Sequence, residues 1–353
     1  MKKVRVLVVD DSAFMRKLIS DILEEDPRLE VVGRARDGIE ALKLLRELEP
    51  DVVTLDVEMP KKDGLATLED IMALHPTPVV MVSSLTREGA EITIKALAAG
   101  AVDFVAKPSG RISLDMAKVG NELRSKVLMA SGVNIALLAH RRAPLSLKEA
   151  PQPIELRGEP PEIVAVAAST GGPKALQELM TGLPHDLPVP IVIAQHMPPG
   201  FTASLAKRLD EVSALHVVEG QDGFELVPGV AAIAPGGKHM LVEKKDGRFI
   251  CRLSDAPPLH SVKPAADLLF LSIADVAGAK AVGIILTGMG KDGTEGARAI
   301  RSKGGVVLAE SPETCVVYGM PKSAVEAGAV NESLPLYRIP ERVKLLVNMR
   351  KGE

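Results

Sequence analysis

Two doubly wound α/β domains with mainly parallel sheets are predicted by three observations. Short β-branched apolar runs alternate with amphipathic stretches along most of the chain, the pattern of parallel strands joined by helices. Several of these runs stop abruptly at polar or glycine-rich residues, as strands do at the mouth of an open sheet. At 353 residues the chain exceeds one ordinary domain, and two is the natural expectation.

In the first half, strands are expected over 4–9, 30–33, 52–55, 79–82 and 103–105. Between them Phe14, Leu18 and Ile22, then Met15, Ile19 and Leu23, then Ala41, Leu44, Leu45 and Leu48 recur at helical spacing. Five strands with helices between them make one doubly wound sheet over residues 1–125. From 126 to 160 the texture becomes that of a linker, with Arg141-Arg142 and prolines at 144, 151, 153, 160 and 161. Residues 125–139 are also able to continue the last helix of the first half.

A second α/β rhythm covers 161–350. Strands are expected over 163–168, 191–194, 216–218, 230–234, 240–242, 249–253, 282–286 and 306–308. Helices are expected over 174–180, 201–209, 264–276 and 294–303, the last stopped by Gly304-Gly305.

Five positions in the first half follow strand runs: Asp10-Asp11, Asp56, Ser83 and Lys107, the last in Ala-Lys-Pro. In an open α/β sheet, residues just past the strand ends line one crevice. Carboxylates, a hydroxyl and an ammonium would meet there. Hard oxygen donors suit Mg²⁺, and a metal beside a free carboxylate and a lysine suits phosphoryl transfer to that carboxylate. Acidic caps at strand ends are the plain alternative. This constellation resembles the receiver domain of two-component response regulators, whose sheet is flavodoxin-like. The resemblance implies Asp56 as phosphoacceptor, Asp10 and Asp11 with Asp56 as Mg²⁺ ligands, Ser83 as switch hydroxyl, Phe104 as the aromatic moving with it, and Lys107 against the phosphoryl group.

Three strand-end motifs carry the chemistry of the second half. Ala168-Ser169-Thr170-Gly171-Gly172-Pro173 opens a helix directly after a strand. Its glycines allow a tight turn, and the helix start presents amides to an oxyanion. Ser169 stands where a nucleophile would, although a phosphate loop or a simple helix cap explains the turn equally well. Ala194-Gln195-His196-Met197-Pro198 places His196 as a general base, with His239 as its rival. Thr287-Gly288-Met289-Gly290-Lys291-Asp292-Gly293 offers Asp292 to orient an imidazole, or to cap the 294–303 helix.

Together the three motifs resemble the catalytic domain of the chemotaxis protein-glutamate methylesterases, the CheB family, over about 162–348. With a receiver in front, nearly the whole chain fits that architecture, the second half being Rossmann-like. The resemblance implies a nucleophilic Ser169, a basic His196 partnered by Asp292, and backbone oxyanion donors at Thr170 and Met289. It also implies hydrolysis of glutamate methyl esters, and deamidation of glutamines, on methyl-accepting chemoreceptors. The phosphodonor would be the chemotaxis histidine kinase CheA, with Mg²⁺ for the receiver and no cofactor for the esterase. One segment departs from the pattern: 261–267 follows the family's Pro-Ser-Val-Asp only loosely.

Composition narrows the alternatives. A net charge of −3 with pI near 6.2 argues against a nucleic-acid-binding surface. No apolar run approaches the ~18 residues that span a bilayer, and the 4–9 run is too short and too quickly acidic for a secretory signal. The expectation is a cytoplasmic protein without direct membrane insertion. Cys251 and Cys315 stand alone, which fits a reducing compartment. The competing readings are a response regulator with a non-catalytic binding output, such as a DNA-binding one, and a nucleotide-binding domain. The latter lacks GxxxxGK[ST] and GxGxxG after its strand.

Overall fold

The computed structural model describes residues 2–107, 114–135 and 160–348. The chain divides into two compact units, 1–141 and 142–353. No helix among the described residues is long and apolar enough to cross a membrane.

In the first unit β1 (Val4–Val9), β2 (Leu29–Ala35), β3 (Val52–Asp56), β4 (Val79–Ser83) and β5 (Asp103–Ala106) form one sheet, in the order β2-β1-β3-β4-β5. Every pairing is parallel, which is the flavodoxin-like order. Helices α1 (Ala13–Glu24), α2 (Gly38–Leu48), α3 (Gly64–Leu74), α4 (Arg87–Ala99) and α5 (Leu114–Ala130) alternate with the strands. The sequence starts four of them with a short polar side chain: Ser12, Asp37, Asp63 and Thr86 each accept an amide of the first turn. β3 and β4 are buried along their whole length, as a strand covered on both faces must be. β2 runs past the expected 30–33, since an edge strand keeps polar residues such as Arg34 that mask its ends. α5 continues beyond residue 125 to Ala130. Most of the expected linker lies outside the described residues.

The second unit holds β6 (Ile163–Ala168), β7 (Ile191–Gln195), β8 (His216–Glu219), β9 (Glu225–Leu226), β10 (Val230–Ile233), β11 (His239–Lys245), β12 (Arg248–Ser254), β13 (Ala281–Ile285), β14 (Val306–Glu310) and β15 (Glu332–Leu334). Seven of them make a parallel sheet in the order β15-β14-β13-β6-β7-β10-β8. Its helices are α6 (Gly172–Thr181), α7 (Phe201–Val212), α8 (Ala266–Ala277), α9 (Thr294–Ser302), α10 (Met320–Glu326) and α11 (Ile339–Asn348). The expected strands at 240–242 and 249–253 do not join this sheet. β11 and β12 pair antiparallel, and with β9 make a separate three-stranded sheet. Asp246 and Gly247 both take positive φ at their turn, the Asp-Gly hairpin geometry.

Around β6 and β13 the core is built of small and aliphatic residues, among them Ala165, Ala167, Ile285 and Ile300, with Phe270 from α8 filling the larger space. Chain order reverses between β6 and β13. β6 leads outward to β7, whereas β13 on its other side leads to β14. That crevice is where an open α/β sheet offers a site.

Candidate active site

Strand register assembles the second unit's polar motifs. Ala168 on β6 pairs with Gln195 on β7, and Ile285 on β13 pairs with Ala167. Extending those ladders by one or two residues brings Ser169 between His196 and Thr287. The His196 amide accordingly donates to the Ala168 carbonyl at 3.0 Å, and the Ser169 amide donates to the Thr287 carbonyl at 3.0 Å. Ser169 is half-buried, while Thr170 behind it is buried.

Two glycines make this packing feasible. Gly171 takes φ +76° at the start of α6, and no side chain caps that helix. Gly288 has no room for a side chain, since an added Cβ would sit 2.7 Å from the Ser169 Cβ. Gln195, which the sequence reading passed over, is buried and braces the turn. Its Nε2 donates to the carbonyls of Ser169 at 2.9 Å and His196 at 3.1 Å.

His196 Nε2 lies 2.7 Å from Asp292 Oδ2. The carboxylate does not cap the helix that follows it, contrary to one expectation; α9 has Gly293 at its N-cap and no side-chain cap. Asp292 instead receives the first amides of α8, Ala266 on Oδ2 at 2.6 Å and Asp267 on Oδ1 at 3.0 Å, together with Gly293 on Oδ1 at 3.0 Å. Burial pushes its acid up, but the His196 hydrogen bond and charge and these amides outweigh that, and it stays below the usual carboxylate range. Asp267 returns the arrangement by accepting the Gly296 amide of α9 at 2.8 Å, and His260 sits on its other oxygen at 3.1 Å. The loosely matching segment 261–267 thus holds the acid in place. His260, Asp267 and Asp292 bring donor atoms within 4.8 Å of one another. The hydrogen bonds of Asp292 already occupy both its oxygens, which makes this a structural network and not a metal cage.

His239, the rival base, is fully buried. Its Nδ1 accepts the Ala265 amide at 3.1 Å, so Nε2 carries the proton toward the Pro257 carbonyl, also at 3.1 Å. Both ring nitrogens are thus engaged by the backbone, and neither is left to meet a substrate. Met289 is half exposed beside Gly288.

In the first unit the same logic operates. Asp56 pairs with Val82 and Ser83 with Ala106, so Asp56, Ser83 and Lys107 follow one another across three strand ends. Lys107 Nζ lies 2.7 Å from Asp56 Oδ2 and 3.0 Å from Asp10 Oδ2. Asp10 and Asp56 are buried and Asp11 is exposed, and donor oxygens of the three lie within 4.8 Å of one another. Burial pushes the Asp56 acid up to about 6, helped by the Asp10 charge and opposed by Lys107. Three hard oxygens around an under-neutralised buried pair suit Mg²⁺ in chemistry and spacing. Ser83 faces α4, accepting from Thr93 Oγ1 at 2.8 Å, with the Gly89 carbonyl 3.2 Å away. Phe104 is buried, with the Lys126 ammonium 5.2 Å over its ring.

The Asp56 shift predicts a pH-dependent metal effect. A folded-state acid raised above its ordinary 3.8 contributes stability that is lost as pH rises through about 6. A cation there offsets the lost part. Mg²⁺ should therefore raise the first unit's Tm more at about pH 7.5 than at about pH 5. Equal shifts at the two pH values, read by thermal unfolding, would contradict the assignment.

Family models match both halves: a response regulator receiver domain over residues 6–117 and CheB methylesterase over 164–343. The chain belongs to the CheB methylesterase family. A protein-glutamate methylesterase/protein-glutamine glutaminase of Geobacillus kaustophilus is 52% identical, across 98% of this chain and 99% of its own length. One from Pyrococcus abyssi is 46% identical over 99% of this chain and 95% of its own. The crystal structure of the Thermotoga maritima CheB methylesterase catalytic domain is similar at a TM-score of 0.51 and 46% identity, covering 52% of this chain and 97% of that one.

Proposed function

We propose that this chain hydrolyses γ-glutamyl methyl esters, and deamidates glutamines, on methyl-accepting chemoreceptors. The observation that carries the reading is the Asp292–His196 pair standing in register beside Ser169 at the reversal of chain order. With Nε2 on Asp292, Nδ1 is the nitrogen left to take the Ser169 proton as Oγ attacks the ester carbonyl. Asp292 stabilises the imidazolium that forms. Backbone amides of Thr170 and Met289 meet the oxyanion. His196 then protonates the departing methoxide, releasing methanol, and water deacylates Ser169 by the same route. A glutamine amide passes through the same tetrahedral species and releases ammonia. A non-catalytic output domain would have no use for a histidine held on that carboxylate beside a strand-end serine.

Control is assigned to the receiver. Asp56 takes a phosphoryl group from a histidine kinase of the CheA type. Asp10, Asp11 and Asp56 would hold Mg²⁺, which would supply charge neutralisation for the phosphoryl group. Lys107 supports the same charge, while Ser83 and Phe104 report the change. Two buried free cysteines, with Cys251 pushed up to about 12 by burial, are in keeping with a cytoplasmic setting. Incubation with methyl-labelled chemoreceptor should release methanol, faster with acetyl phosphate and Mg²⁺. No methanol under either condition would reject the reading.

A further inference from the structure

Glu310 ends β14 and is fully buried. Among the described residues no lysine, arginine or histidine pairs with it. Its Oε2 accepts the Thr287 amide at 2.9 Å, and its Oε1 has no hydrogen-bond partner. The side chain stands in for backbone here. β14 ends at Glu310, and the next amide, Ser311, donates to Leu334 at 2.8 Å instead. The amide of Thr287, two residues beyond the last β13–β14 pair, is thus satisfied by a carboxyl oxygen.

Thr287 is the residue to which the nucleophile turn is tied. Its carbonyl accepts the Ser169 amide, and its Oγ1 donates to the Thr170 carbonyl at 3.0 Å and accepts the Val317 amide at 2.9 Å. Whatever sets Thr287 sets Ser169 and Thr170. We propose that Glu310 is a positioning residue for ester hydrolysis, acting as a neutral carboxylic acid that holds Thr287 and, through it, the Ser169 turn. The inference rests on the reading of Ser169 as nucleophile.

The surroundings favour the neutral form. From β13 the carboxyl meets only the Thr287 amide, and from β15 it lies opposite Leu334. The loop after β14 brings Thr314 and the thiol of Cys315, itself raised by burial and by the nearby Glu310. Among the described residues no cation offsets an ionised carboxylate, and charge buried without one is costly. Burial pushes the Glu310 acid up to about 7, against the opposing pull of the Thr287 amide and the Thr314 and Cys315 side chains. A raised acid stabilises the fold at low pH and loses that contribution as pH rises through its folded value. The anchor therefore loosens above about pH 7.

The test is methanol release by the full chain from methylated receptor, with kcat and KM measured from about pH 6 to about pH 9. Glu310→Gln keeps a carbonyl acceptor for Thr287 and cannot ionise. It should hold kcat within about threefold of wild type near neutrality and lack the alkaline decline that wild type shows. Glu310→Ala should lower kcat by ~10–100-fold with KM changed less than ~2-fold, the signature of a misplaced nucleophile. A Glu310→Gln enzyme as slow as Glu310→Ala at every pH, or a Glu310→Ala enzyme with wild-type kcat, overturns the proposal. If Glu310→Ala fails to fold, the Gln variant decides alone, and an alkaline decline matching wild type rejects the neutral acid. Ser169→Ala runs alongside: activity remaining there rejects the nucleophile assignment itself, whatever the Glu310 variants do.

Discussion

Ser169→Ala is expected to lower methyl ester hydrolysis by at least ~10⁴-fold, the scale of losing a triad nucleophile. The fold should survive. The site is half-buried, its amide and carbonyl remain bonded to Thr287, Gly172 and Gln195, and only one hydroxyl disappears. Thermal unfolding should move little, within the ~0.5 kcal/mol typical of mild substitutions. Asp292→Asn behaves differently. It should lose ~10³–10⁴-fold in kcat, and stability as well, because one carboxylate oxygen becomes an NH₂ facing amides that are themselves donors. Combining the two substitutions should cost little beyond the larger single loss, since these groups act as a unit. Parallel kcat and Tm measurements check both halves. Substantial turnover by Ser169→Ala would remove the acyl-enzyme route.

Asp56→Asn should abolish phosphoryl incorporation from acetyl phosphate, read by intact-mass spectrometry, and with it any activation of methanol release by phosphodonor. The receiver should stay folded and at least as stable at pH 7. The substitution deletes a charge whose acid burial has pushed up to about 6, and Lys107 keeps its contact with Asp10 at 3.0 Å. Undiminished labelling of this variant would move the phosphoacceptor elsewhere. Chelating Mg²⁺ from the wild type should suppress labelling in the same way.

The residues proposed for the chemistry were legible because parallel sheets deliver strand ends to one edge. Asp56, Lys107, Ser169, His196 and Asp292 each follow an apolar run, and knowing where strands end was enough to gather them. The supports were not legible. Gln195, Asp267 and Glu310 act through bonds to strands or helices far away in sequence, and nothing local distinguishes them from ordinary polar residues. Asp292 is legible as an imidazole's partner, but its local alternative, a cap for the helix beside it, misses that it receives the first amides of α8, which precedes it by a strand and a turn. The same limit explains the second sheet. β11 and β12 carried strand signals, but β9 has two residues and β15 three, too few for any period to show. Helices α10 and α11 were overlooked; α10 has seven residues, too few for a helical period to show.

The exchange of aspartates between α8 and α9 joins two histories that usually run apart. In many enzymes the residues doing chemistry can be replaced while the scaffold is left to drift, and the scaffold can be rebuilt beneath a fixed set of reacting groups. Here the acid behind His196 is also the fastening at the start of α8, and Asp267 in that first turn fastens α9. A lineage that altered the 259–267 segment must therefore keep two main-chain amides aimed at Asp292. A lineage that abandoned catalysis would still be held to an aspartate at that position by the helix it secures. Loss of activity in a descendant would leave this corner of the sequence looking like an enzyme.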